Sequence, residues 1–248
     1  AKKQAKDYSN DYKVKFVILS NGFTHYFWDL ESKRDAYEIQ NLPSLNDLKR
    51  IELKKINPKK RIDNRISKNY FKNEGYDIEL RNYQIDAIKR ITDGLNNNQN
   101  KFLLEMATGT GKTILAAALI KTLLENKYVE RVLFLVDRVE LAKQTWEDFQ
   151  NYLKIYSPVI YNSKKFKHGD ILGSSVIIST LQSMLAKRKY RKDFTPFYFD
   201  LIVNDEAHRS IYGNSREIME YFNSIRIGLT ATPKNYLKNL NENELSDS

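Results

Sequence analysis

The 248 residues, 41% of them hydrophobic, can bury one sizeable core with a smaller satellite. The absence of cysteine excludes disulfides, thiolate nucleophiles and Cys-bearing zinc sites, and no apolar stretch approaches the roughly 20 residues that span a bilayer. The formal net charge of +10 fits either a polyanionic partner such as nucleic acid or simply a composition rich in Lys, Asn and Ile.

In chain order, Lys13 to Leu30 predicts two strands, VKFVILS and THYFWDL, joined by a tight Asn21-Gly22 turn. Glu31 to about Asp77 is mixed and charged, with Pro43, Pro58 and the basic Lys59-Lys60-Arg61, and is expected to connect through short helices. From Leu80 the pattern changes to strands alternating with helices, the mark of βαβ units on a parallel sheet. Buried strands are predicted at Lys101–Glu105, Arg131–Val136, Ser175–Ile178, Leu201–Val203 and Arg226–Leu229. Helices are predicted over Thr113–Leu124 and about Glu140–Leu153, where apolar residues recur at helical spacing. Uninterrupted apolar strands imply a sheet covered on both faces. No internal repeat is visible. His25, His168 and His208 are too far apart in sequence to suggest a metal cluster. The start, AKKQAKDYSN, has no signal-like apolar region, so a cytoplasmic protein without a membrane partner is expected.

The segment Met106-Ala107-Thr108-Gly109-Thr110-Gly111-Lys112-Thr113 follows a predicted strand and opens a predicted helix. Two glycines let the backbone curl so that successive N–H groups face phosphate oxygens, and the helix N-terminus adds positive potential. Lys112 supplies a point charge for the β- and γ-phosphates of ATP, and the Thr113 hydroxyl can ligate Mg²⁺. Thr108, Gly109, Thr110 and Gly111 complete the cradle. Met106 stands where the generic loop has its first glycine. Farther on, the apolar run Leu201-Ile202-Val203 ends in Asn204-Asp205-Glu206-Ala207-His208. Carboxylates at the end of such a strand lie at the carboxyl edge of the sheet, where ligands of these sheets bind. Asp205 is the expected Mg²⁺ holder and Glu206 the residue that orients or deprotonates water, with Lys112 the third catalytic candidate.

Asp-Glu-Ala-His after an apolar strand, together with the Gly-Lys-Thr loop, resembles the superfamily 2 helicases. Four further segments resemble that family in the same order. Leu80-Arg81-Asn82-Tyr83-Gln84 resembles its adenine-reading motif, which implies that Arg81 and Gln84 touch ATP. Asp137-Arg138 resembles motif Ia, Ser179-Thr180-Leu181-Gln182 a backbone-contacting motif, and Gly228-Leu229-Thr230-Ala231-Thr232-Pro233 motif III. The resemblance spans about Leu80 to Lys234. It implies a RecA-like α/β fold, coupling roles for His208, Thr230 and Thr232, and DNA-phosphate contacts at Arg138, Ser179 and Thr180. Singly these residues have plainer readings: Gln84 a helix-surface polar residue, Thr230 and Thr232 a β-edge turn, His208 a satisfied loop histidine. The basic run Lys187-Arg188-Lys189 with Arg191-Lys192 reads as a solvated helix end or as further phosphate contacts.

MATGTGKT, FLVDRVELAKQ and DEAHRS followed by LTATPK are similar to the motor subunit of type I restriction enzymes. Gln4-Ala5-Lys6-Asp7-Tyr8 resembles the QxxxY element of that subunit's nuclease domain, and KFVILSNGFTHYFWDL its closing hairpin. This implies the end of a nuclease domain at 1–42, a linker at 43–78 and the first RecA-like motor domain at 79–248. It further implies ATP hydrolysis driving double-stranded DNA past a complex with methyltransferase and specificity subunits. The nuclease residues of that family lie upstream of QxxxY and its second motor domain follows motif III, so the chain alone is expected not to cut DNA and to hydrolyse ATP slowly. Another superfamily 2 enzyme, such as a type III restriction subunit or a repair helicase, stays open. So does a catalytically silent module that binds DNA or a partner.

Overall fold

The computed structural model describes residues 2–31, 35–39, 42–56, 61–72, 78–107, 109–164, 168–171, 173–205 and 214–231. The chain opens with helix α1 (Lys2–Tyr12) and a three-stranded antiparallel sheet, β1 (Phe16–Ser20), β2 (His25–Asp29) and β3 (Tyr37–Ile39). The hairpin is present, but its connection is four residues rather than a two-residue Asn-Gly turn, because Ser20 pairs with His25. Asn21 causes the longer loop: its side-chain oxygen accepts the N–H groups of Phe23 at 3.0 Å and Thr24 at 2.8 Å. β3 falls where only short helices were expected. Its Tyr37 joins Phe16 around the fully buried Phe27, whose ring lies 4.9 Å from Phe197 of the following domain.

Helix α2 (Leu45–Ile56) bridges the two units. Ser44 and Asp47 form a reciprocal cap: the Asp47 carboxylate accepts from the Ser44 N–H and hydroxyl, and the Ser44 hydroxyl accepts from the Asp47 N–H. One turn on, Arg50 reaches the next domain, where its Nη2 donates to both carboxylate oxygens of Asp200, at 2.6 and 2.7 Å.

The larger domain alternates helices and strands: α3 (Asn82–Asn96), β4 (Lys101–Glu105), α4 (Lys112–Glu125), β5 (Val132–Val136), α5 (Val139–Tyr152), β6 (Val159–Ile160), β7 (Val176–Thr180), α6 (Leu181–Leu185), α7 (Lys189–Asp193), β8 (Leu201–Asp205), α8 (Asn214–Tyr221) and β9 (Ile225–Thr230). All pairings in its six-stranded sheet are parallel, in the order β4-β9-β8-β5-β7-β6. The two covered faces follow directly from strand parity. Val132, Phe134 and Val136 join a core with α3, α4 and α5, while Leu133 and Leu135 join a second core with Met184, Tyr190, Phe194 and Phe222.

Two expectations need correcting. β4 is not buried: it is the sheet's edge, with Leu103 51% exposed. β7 runs on to Thr180, so Ser179 and Thr180 belong to the strand itself. The two-residue β6 was not anticipated, being too short to leave a periodic signal. The basic run is divided: Lys187 and Arg188, left-handed at φ 50° and 54°, turn the chain between α6 and α7, while Lys189, Arg191 and Lys192 belong to α7, the last two in its final turn. Among the described residues no helix is long and apolar enough to cross a membrane.

Candidate nucleotide-binding site

Three strands end side by side at the carboxyl edge. Glu105 of β4 is in register with Thr230 of β9, and Asp205 of β8 is in register with Leu229 of β9. Met106, just past β4, donates its N–H to the Thr230 carbonyl at 2.8 Å. With neighbouring strands about 4.8 Å apart, the root of the glycine loop and Asp205 are separated by one strand, about 10 Å. Segments far apart in sequence thus meet at one edge. Thr230 is buried between them, in the strand rather than in an edge turn.

The loop has the backbone that its sequence demands. Gly109 and Gly111 have φ of +77° and +80°, the left-handed region that L side chains avoid. The Thr110 hydroxyl donates to the Ala107 carbonyl at 2.6 Å, tightening the curl. Gly111 is the N-cap of α4, so Lys112, Thr113 and Ile114 begin a 14-residue helix with their N–H groups at its positive end. The Lys112 ammonium is buried. Met106 explains its own departure from the generic loop. It has no positive φ, and its side chain packs in the core with α4, so this position continues the strand and has no need of glycine.

Gly111 has a second constraint. A Cβ there would stand 2.8 Å from the Gln84 amide nitrogen. Gly111→Ala should therefore combine a strained left-handed residue with a displaced Gln84. We expect about 1–2 kcal/mol of lost stability and weaker ATP binding, read by urea unfolding and calorimetric titration. Gly109→Ala should show the backbone strain alone, because a Cβ there meets nothing within 4 Å.

Gln84 is 2% exposed and is no helix-surface residue. Its side-chain oxygen accepts the Arg81 N–H at 2.8 Å, and its amide nitrogen donates to the Gly111 carbonyl at 3.1 Å and, longer, to Thr110 at 3.4 Å. Tyr83, which sequence reasoning had quoted but given no role, donates its hydroxyl to the same Thr110 carbonyl at 2.5 Å, and Arg81 donates to Tyr83 at 3.2 Å. The start of α3 is thereby bonded to the outer side of the phosphate loop.

On the neighbouring strands lie the expected DNA contacts. Val136 of β5 is in register with Thr180 of β7, which puts Asp137-Arg138 beside Thr180 at the same edge. Arg138 is exposed, with its Nε 3.6 Å from the Asp137 carboxylate. Ser179 and Thr180 are both buried, Ser179 donating to the Thr180 carbonyl and the Thr180 hydroxyl capping α6 by accepting the Ser183 N–H. In the basic run, Arg191 is held at 3.0 Å by Glu217 and lies over the Tyr190 and Tyr221 rings, while Lys187 and Arg188 project outward. The Tyr190 hydroxyl, with Arg191 and Arg188, holds the Glu217 carboxyl below its usual range. Thr108, Glu206, His208 and Thr232 lie outside the described residues.

The cradle fits a nucleoside triphosphate. Two left-handed glycines turn the loop, a helix N-terminus closes it, and an ammonium and a carboxylate flank it. No group of three or more His, Cys, Asp or Glu that could hold a metal occurs among the described residues. A divalent cation at Thr113 and Asp205 would thus depend on phosphate oxygens and water, which is the usual situation of Mg²⁺.

A parallel sheet with this loop and an acidic strand end beside it at the carboxyl edge defines a RecA-like nucleotide-binding fold. The comparisons with known proteins agree. The helicase domain of Pyrococcus furiosus Hef superposes with a TM-score of 0.53 at 24% identity, covering 66% of this chain and 35% of that one. A nuclease-deletion mutant of the type ISP restriction-modification enzyme LlaGI, solved with a DNA substrate mimic, gives 0.51 at 25% identity over 64% of this chain and 18% of its own. In sequence, the chain is 37% identical over 177 residues to the type I restriction enzyme EcoAI endonuclease subunit of Escherichia coli, covering 68% of this chain and 21% of that protein. Residues 77–235 match the protein family described as type III restriction enzyme, res subunit, and the chain belongs to that family. It spans 21% and 15% of the length of the first two curated relatives, both type I restriction endonuclease subunits.

Proposed function

We propose that this chain is the nucleotide-binding part of an ATP-driven double-stranded DNA translocase, the motor of a type I restriction endonuclease, with residues 79–248 as its first motor domain and 1–42 as the end of a nuclease domain. The observation that carries this reading is the strand register that brings the loop after Glu105 and the carboxylate of Asp205 to the two sides of Thr230. Lys112 and the first-turn N–H groups of α4 neutralise the phosphates. Thr113 and Asp205 would hold Mg²⁺, which draws charge from the β- and γ-phosphate oxygens when bound. Glu206 is the proposed water-orienting residue, His208, Thr230 and Thr232 the proposed coupling residues, and methyltransferase and specificity subunits the proposed partners.

Duplex DNA suits the exposed cations of this domain: Arg138 at the carboxyl edge, and Lys187 and Arg188 in the left-handed turn before α7. Contacts of this kind read phosphates and are independent of sequence. Anisotropy titrations of a labelled duplex in rising salt test the reading. Binding should be sequence-independent, and Lys187→Ala with Arg188→Ala should reduce the log–log salt slope by about 2, near 0.9 per lost phosphate contact. A chain that binds no duplex at low salt would overturn the DNA assignment.

A further inference from the structure

A loop that points its N–H groups at phosphate must point its carbonyls outward, and those carbonyls need donors of their own. Two residues at the start of α3 supply them. The Thr110 carbonyl accepts the Tyr83 hydroxyl at 2.5 Å and the Gln84 amide at 3.4 Å, and Gly111 accepts the Gln84 amide at 3.1 Å. Of the two bonds to Thr110, the one from Tyr83 is short and the one from Gln84 lies at the limit of a hydrogen bond. Gln84 is also committed elsewhere, since its oxygen accepts the Arg81 N–H. Tyr83 is differently placed. Its side chain is partly exposed, its hydroxyl accepts from Arg81 at 3.2 Å, and its own proton has Thr110 as its acceptor.

We infer that Tyr83 is a positioning residue for the phosphate loop, acting through its hydroxyl on the Thr110 carbonyl and setting the loop's affinity for the triphosphate whatever the base. Arg81 assists by orienting the phenol: its guanidinium donates to the oxygen, leaving the phenolic proton for the loop. The inference deepens the nucleotide-site reading and rests on it. It also separates the roles of two adjacent residues. Gln84 is the base-reading candidate, whereas Tyr83 acts on phosphate geometry.

Calorimetric titration of the chain with ATP, GTP and inorganic tripolyphosphate, each with Mg²⁺, tests it. Tyr83→Phe keeps the ring and removes one hydrogen bond, so affinity for ATP and for tripolyphosphate should fall together, by about three- to tenfold. The melting temperature should be unchanged, because the ring stays in place. Tyr83→Leu should match Tyr83→Phe. If only Tyr83→Leu weakens binding, and does so for the nucleotides but not for tripolyphosphate, the ring stacks on the base and the inference is wrong. Unchanged affinity in Tyr83→Phe, with the parent chain binding ATP, also overturns it and leaves the nucleotide site standing. A parent chain that binds none of the three ligands overturns both.

Discussion

Replacing Lys112 by Ala should weaken binding of ATP with Mg²⁺ by about ten- to a hundredfold, the range expected when a charge-assisted contact to phosphate is lost. The size follows from placement. The ammonium is buried at the first turn of α4, next to a loop whose N–H groups already favour anions, so water screens it poorly. Lys112→Arg is an informative control, because a planar fork cannot replace a compact point charge in a cradle this tight. It too should bind poorly. Titration calorimetry measures both variants. Undiminished affinity in Lys112→Ala would mean that ATP binds elsewhere, and the motor assignment would lose its basis.

Replacing Arg50 by Met should cost about 3 kcal/mol, the low end for breaking a buried ion pair by removing one partner. For a chain of this size that is roughly 6–12 °C in melting temperature. Arg50 donates to Asp200 at 2.6 and 2.7 Å and to Glu130 at 2.8 Å, with side-chain exposures of only 12% for Arg50 and 4% for Asp200. Without the guanidinium, the Asp200 carboxylate still accepts the N–H groups of Glu130 and Arg131, which is why the low end applies. Asp200→Asn in the same chain should restore part of the loss by removing the stranded charge. The contrast is Lys15–Glu52, equally short at 2.6 Å but 39% and 38% exposed, where Lys15→Met should leave the melting temperature nearly unchanged. Thermal unfolding followed by circular dichroism decides both. An unaltered melting temperature in Arg50→Met would show that the other links between the two units, among them Phe27–Phe197 and Thr195–Asp47, hold them without the ion pair.

The local chemistry of the site was legible from residues alone. Gly109 and Gly111 announced a curled loop, the apolar run before Asp205 announced a strand ending in acid, and the apolar spacing within Thr113–Leu124 announced a helix. These readings succeeded because each depends on neighbours within a few residues: φ at a glycine, parity along a strand, periodicity along a helix. The same locality explains the errors. The run KFLLE looks identical at the centre or the edge of a sheet, so nothing in Lys101–Glu105 marks β4 as the edge. Asn21-Gly22 reads as a two-residue turn until the side-chain oxygen of Asn21 is seen to accept two N–H groups and lengthen the loop.

By itself, then, the sequence determined that a strand, a glycine loop and a helix follow one another here, and that a second strand ends in carboxylate. Only the tertiary structure decided that β9 inserts between those two strands, that Gln84 and Tyr83 brace the loop from behind, that Ser179 and Thr180 face inward, and that Arg50 joins the small sheet to Asp200. Strand order and long-range ion pairs arise from crossovers spanning dozens of residues, whose packing energy is shared among many contacts. No short stretch of sequence carries that information.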